Sequence, residues 1–130
     1  MCIRDRFSNT KHIFQNIGDG TYYHSGLLAV RSAIASKVNV TFKILYNDAV
    51  AMTGGQPMDG PLTPLAIAQQ VHAEGATRVT VVTDEPDKYP HNAPWPPDLK
   101  VHHRDNYDQV QREFREILSL IHISEPTRPY

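Results

Sequence analysis

Residues 11–48 read KHIFQNIGDGTYYHSGLLAVRSAIASKVNVTFKILYND, and the order of features inside this stretch decides the fold. Lys11 to Ile17 is a short apolar-leaning run halted by Gly18-Asp19-Gly20, the pattern of a strand feeding a tight turn. Beyond the turn, Leu27, Val30 and Ile34 recur at three- and four-residue spacing with Ala33 beside them. That spacing predicts a helix of about a dozen residues with one face on a sheet. Val38, Val40, Phe42 and Ile44 then alternate with Asn39, Thr41 and Lys43, and the run turns apolar on both sides at Leu45-Tyr46. A second strand entering a buried site is the expected result.

Outward from this core the pattern repeats. Thr53 to Pro64 carries three glycines and three prolines, too many for a regular element, and predicts a long loop. Pro64 suits the first turn of a helix whose Ile67, Ala68 and Val71 share a face, with Gly75 as its stop. Arg78 to Thr83 is a third strand. Pro86 to Pro97 holds five prolines and predicts an exposed excursion without regular structure, with Trp95 as a candidate anchor. Leu99 to His103 makes a fourth strand, and Tyr107, Val110, Phe114 and Ile117 stripe a final helix. Strands alternating with helices in this order predict an α/β fold: a doubly wound, mainly parallel sheet with helices on both faces, joined by right-handed crossovers.

A chain of 130 residues has room for one domain and buries roughly two-thirds of its unfolded surface. A net charge of −1 with scattered charges offers no footprint for nucleic acid or anionic lipid, so neither is expected as a partner. No stretch approaches the ~18 apolar residues of a membrane span, and no secretory signal opens the chain. A cytoplasmic location is expected. The lone cysteine, Cys2, can neither close an intrachain disulfide nor supply the thiolates of an iron–sulfur cluster. Residues 1–6 (MCIRDR) and 119–130 (SLIHISEPTRPY) do not continue the periodicity beside them and resemble translated sequencing-adaptor read-through. They are set apart from fold reasoning as a tag would be, leaving a segment of 7–118; ordinary frayed termini are the alternative.

Ligands of parallel α/β sheets sit at the carboxyl ends of the strands, which points to Gly18-Asp19-Gly20 and to Asn47-Asp48. A strand-to-helix turn offers free N–H groups and a helix dipole to a phosphate, and flanking glycines let the backbone approach it. Asp19 supplies a hard anionic oxygen suited to magnesium. Asn47 follows 28 residues later, one helix and one strand on, so a crossover returns its amide oxygen to the same sheet edge. Ala49 could add a main-chain carbonyl, and two diphosphate oxygens and a water would complete the octahedral shell. Read alone, each half is also an ordinary turn: Gly-Asp-Gly a tight reversal, Asn47-Asp48 the end of a strand.

Gly18-Asp19-Gly20 followed by Asn47 resembles the thiamine diphosphate motif. The surrounding words are similar to the thiamine-binding region of indolepyruvate ferredoxin oxidoreductases, of the 2-oxoacid:ferredoxin oxidoreductase family. They are Gly18 to Gly26 (GDGTYYHSG), Lys43 to Asp59 (KILYNDAVAMTGGQPMD), Val81 to Glu85 (VVTDE) and Val101 to Asp105 (VHHRD), within residues 11–117. One departure is Tyr46 where many members carry a second asparagine; by register from the Thr53-Gly54-Gly55-Gln56 loop, Asn47 is the metal-binding one.

The resemblance implies a fragment of an enzyme that decarboxylates indolepyruvate or a related aryl 2-oxoacid and reduces ferredoxin through [4Fe-4S] clusters. The acyl group passes to coenzyme A, and the clusters belong to the parent enzyme rather than to this segment. It implies thiamine diphosphate and Mg2+ as cofactors, held by Gly18, Asp19, Gly20, Thr21, Asn47, Ala49, Met52, Thr53 and Gly54, with Asp19, Asn47 and Ala49 on the metal. It further implies remaining domains as partners, a glutamate on one of them to activate the cofactor, a homo-oligomeric parent, and a segment inert by itself. The alternatives are the same domain serving pyruvate or another 2-oxoacid, and a non-catalytic module for magnesium and a diphosphate.

His24, beside Ser25 near the helix start, is the candidate catalytic contact with cofactor or oxoacid; a histidine bonded to backbone or water is its plain alternative. His102 and His103 are strand neighbours that point to opposite faces and cannot share one metal. Tyr22 and Tyr23 are expected to pack on the helix face, and Thr83-Asp84-Glu85-Pro86 carries no catalytic assignment.

Overall fold

The computed structural model describes residues 12–47, 49–50, 56–57, 62–116 and 122–124, with 49–50, 56–57 and 122–124 described by backbone alone. Strand β1 (Ile13–Gly18) and strand β2 (Val40–Leu45) lie parallel, in register from Ile13 opposite Val40 to Gly18 opposite Leu45. Between them the chain is helical almost throughout: an α turn at Asp19–Thr21, a π turn at Tyr22–Gly26, and helix α1 (Leu27–Ala35). Gly18 is extended (φ −71°, ψ 155°) and closes the strand, so the expected tight turn is replaced by a strand passing directly into a helix at Asp19. An acid at that first position suits the unpaired N–H groups and positive dipole end of a helix start.

The π turn packs closely on β1. A Cβ at Gly26 would stand 3.1 Å from Ile17 Cγ2 and 3.1 Å from the Thr21 carbonyl oxygen, so any side chain there would have to push its neighbours by a few tenths of an ångström. The widened turn carries the Tyr22 ring into the core, where it is buried beside Ile17 and Val30. Helix α1 ends at Lys37, whose φ of 53° is left-handed and whose N–H donates to the Ile34 carbonyl at 3.0 Å.

Helix α2 (Pro64–Ala73) forms as its sequence predicts. Thr63 caps it by accepting from the Ala66 N–H at 3.1 Å, Pro64 opens it, and Gly75 (φ 100°) stops it. Its Ile67, Ala68 and Val71 join Val30 and Ala33 of α1 and Val40, Phe42 and Ile44 of β2 in the main core. Strands β5 (Thr80–Thr83) and β6 (Lys100–His103) are a second parallel pair. Helix α3 (Tyr107–Glu116) packs Val110 and Phe114 on Val82 in a smaller core that also takes Phe14 of β1. Because Phe14 and Ile17 alternate across β1, the two cores lie on opposite faces of that strand. Parallel strands covered by helices make the arrangement α/β.

Some expectations need correction. The loop of 53–64 is not wholly irregular: its Gln56–Pro57 (β4) pairs antiparallel with Ala49–Val50 (β3). The excursion of 86–97 is anchored, with a 3-10 turn at Pro86–Lys88, Pro96 buried, and Trp95 packed on the main core edge-on to Tyr89. Gln69 Nε2 also donates to the Pro94 carbonyl at 2.9 Å. Within the segment 119–130, which the sequence sets apart, His122–Ser124 forms β7, parallel to β2 with Lys43 opposite His122 and lying beside β5. Ile117 lies outside the described residues. Among the described residues no helix is long and apolar enough to cross a membrane.

Candidate functional site

The ladder between β1 and β2 ends at Gly18 opposite Leu45, so Asp19 and Asn47 emerge from neighbouring strands at the same edge. Asp19 is only 2% exposed. Its Oδ1 accepts from the Gly20 N–H at 2.8 Å, and its Oδ2 accepts from the main-chain N–H of Asn47 at 3.1 Å. Two main-chain donors thus fix the orientation of a buried carboxylate. The two halves of the sequence constellation meet across 28 residues, through a bond from the Asn47 backbone to the Asp19 carboxylate. The Ala49–Val50 backbone lies against the Asp19–Thr21 turn, bringing Asp19, Asn47 and Ala49 to one corner.

The other expected residues divide. Among the described residues, a Cβ on Gly18 would meet nothing within 4 Å, so there is space beside Gly18 itself. Gly20 is half-buried in the first helical turn, and Thr21 is exposed. His24 is exposed on the π turn, its ring edge-on to Tyr23 at 5.5 Å. Met52, Thr53 and Gly54 lie outside the described residues. Among the described residues no three His, Cys, Asp or Glu side chains gather as a metal cluster. A shell of one carboxylate, one amide and one main-chain carbonyl is of another type.

Two tyrosines support the corner in ways that sequence alone does not disclose. Tyr22 is fully buried, and its hydroxyl donates to Gln70 Oε1 of α2 at 2.8 Å. Burial, aided by the Glu74 charge, raises its pKa well above the usual phenol value, so it stays a donor. Tyr46 Oη donates to the Leu62 carbonyl at 3.0 Å, tying the end of β2 to the segment before α2. Tyr23, expected to pack, is instead 43% exposed. The pairing of Tyr22 with Gln70 spans 48 residues, and no local pattern marks it.

Relatives align with about half of this chain. Over 67 residues it is 39% identical to indolepyruvate oxidoreductase subunit IorA of Thermococcus kodakarensis, covering 51% of this chain and 10% of that protein. The chain carries a region related to this subunit. The IorA of Pyrococcus horikoshii is 38% identical over 79 residues, covering 55% of this chain and 12% of that protein. That of Methanothermobacter thermautotrophicus is 38% identical over 53 residues, covering 41% and 9%. The chain thus spans about a tenth of the length of the curated IorA relatives it matches. These relatives are subunits of an oxidoreductase named for indolepyruvate. No family profile and no solved structure matches the chain.

Proposed function

We propose that this chain is the diphosphate-anchoring part of a thiamine diphosphate-dependent 2-oxoacid:ferredoxin oxidoreductase acting on indolepyruvate or a related aryl 2-oxoacid. The observation that carries the reading is the buried Asp19 carboxylate, oriented by the Asn47 N–H at the carboxyl end of two parallel strands. The residues fit the group. Asp19 offers a hard oxygen, Asn47 and Ala49 stand beside it, and the open space over Gly18 leaves room for a phosphate against the backbone.

In this reading Asp19, the Asn47 side-chain oxygen and the Ala49 carbonyl hold Mg2+, and Gly18, Gly20 and Thr21 receive the diphosphate at the helix start. Met52, Thr53 and Gly54 continue the wall, and His24 faces the oxoacid. Thiamine diphosphate supplies the electron sink for decarboxylation. The residues of this chain bind and orient, while remaining domains of the parent enzyme complete the pocket and carry the [4Fe-4S] clusters. Ferredoxin, coenzyme A, a homo-oligomeric parent, a cytoplasmic location and the doubly wound thiamine-binding fold belong to the same proposal. So does the division into 1–6, 7–118 and 119–130, within whose last part His122–Ser124 pairs with β2.

The test is magnesium-dependent thiamine diphosphate titration by calorimetry of the chain and its Asp19→Ala and Asn47→Ala variants. Weak binding is expected for the chain and none for either variant. The asparagine variant is the informative one, because alanine keeps the main-chain N–H that orients Asp19 while removing the side-chain amide and its oxygen. Equal heats from the three proteins would remove the metal site.

A further inference from the structure

We infer that a second anion site lies at the opposite end of β1, in the cleft between the start of that strand and helix α3, and that it takes a small phosphomonoester. The cleft is an open one of about 540 Å³, lined by His12, Phe14, Asp108, Gln111, Arg112 and Arg115. That volume lies in the range of small-molecule sites. Strand β1 separates the two ends of the sheet by its six residues. At ~3.3 Å per residue this places the cleft roughly 20 Å from Asp19, too far for one ligand to serve both as a diphosphate anchor.

The arginines carry the inference. Arg31, Arg78 and Arg104 each meet a carboxylate, on Glu74, Glu113 and Asp84 respectively. Arg112 and Arg115 make no ion pair among the described residues, and both line this cleft. They are exposed and three positions apart on α3, so their guanidinium groups rise on one side of the helix. Two unpaired forks on one wall suit the oxygens of a phosphate better than a single carboxylate. Asp108 stands one turn earlier and can accept from a hydroxyl on the same ligand, which favours a hydroxylated phosphomonoester over a bare polyanion.

The rest of the wall is built rather than accidental. His12 Nε2 lies 2.7 Å from Thr41 Oγ1, fixing the ring. Phe14 is held between the His12 ring, edge-on at 5.0 Å, and the Lys43 ammonium, 4.9 Å from its centre. Lys43 is fixed in turn by Gln111 Oε1 at 2.7 Å. Burial and then the Arg115 charge hold the His12 pKa below its usual value, so a bound phosphate that offsets Arg115 moves it upward.

The test follows the His12 ring by NMR while glycerol phosphate is added to the chain without magnesium, against sodium chloride of matched ionic strength. The expected result is a saturable shift of the His12 signals and a raised His12 pKa, while the amides of Gly18 to Thr21 stay in place. Arg112→Gln and Arg115→Gln each weaken the affinity at least tenfold, and Arg115→Lys recovers part of it. An amide spectrum unchanged away from α3 shows that these variants fold. A response that does not saturate, that chloride reproduces, that the glutamine variants retain, or that moves Gly18 to Thr21 with His12 overturns the assignment.

Discussion

Replacing Asp19 by asparagine tests whether the carboxylate is fitted to its surroundings. Asp19 is 2% exposed and receives two main-chain N–H donors, from Gly20 at 2.8 Å and from Asn47 at 3.1 Å. An asparagine of the same shape offers one acceptor oxygen and turns an NH2 group toward the other donor. A hydrogen bond to a charged group contributes about 1.5–3 kcal/mol, so losing one should cost about 2 kcal/mol. Alanine leaves both N–H groups without this acceptor, at about 1–3 kcal/mol each, and should cost more. With urea slopes of about 1–3 kcal/mol per molar, Asp19→Asn should lower the unfolding midpoint by about 1 M. The assay is urea unfolding followed by far-UV circular dichroism, with the slope checked for constancy. An unchanged or higher midpoint would refute the reasoning: the carboxylate would then be held against its neighbours' preference, as residues kept for ligands can be.

The two helix stops make a reciprocal pair. Lys37 (φ 53°) and Gly75 (φ 100°) hold corresponding left-handed positions, so Lys37→Gly should stabilise by up to about 1 kcal/mol and Gly75→Ala destabilise by about 1 kcal/mol or more, read as urea midpoints. A further prediction concerns acid. Arg31 reaches Glu74 through two bonds of 2.8 and 2.5 Å and holds its carboxyl below the usual range. A depressed carboxyl contributes stability above its unfolded pKa and loses it as pH falls through the folded value. The difference between the chain and Glu74→Gln, small because the pair is exposed, should therefore be constant from pH 7 to 5, shrink once pH falls below the ordinary carboxyl value, and vanish below the depressed folded value.

What could be seen in advance was whatever depended on neighbours in sequence. The alternation through Val40, Phe42 and Ile44, the Thr63-Pro64 opening and the Gly75 stop of α2, and the Tyr107, Val110 and Phe114 stripe all report a local period or a local cap. What escaped depended on distant contacts. At the π turn Gly26 meets Ile17 and Tyr22 finds Gln70, and neither partner is visible from the helix's own sequence. Pro96 sits in a proline-rich run whose composition says exposed, yet it is buried beside Trp95, the anchor the sequence did offer. Strand β7 lies in a tail whose sequence breaks the preceding pattern, and it is held by pairing with β2 rather than by anything beside it. The meeting of Asp19 and Asn47 was legible because one crossover of a parallel sheet has a set span; which atoms would meet was not.

That last distinction sharpens the question of why residue 47 is asparagine. The bond that orients Asp19 uses a main-chain N–H, which every residue except proline can supply. The main-chain bond to the carboxylate would therefore survive a change of side chain, and what the amide itself adds is a separate question. If an alanine there leaves the urea midpoint within about 0.5 kcal/mol of the parent and abolishes magnesium-dependent binding, the residue divides its labour: backbone for the carboxylate, side chain for the ion. If the alanine instead lowers stability as much as Asp19→Asn does, the amide belongs to the fold, and the cation loses one of its three proposed ligands.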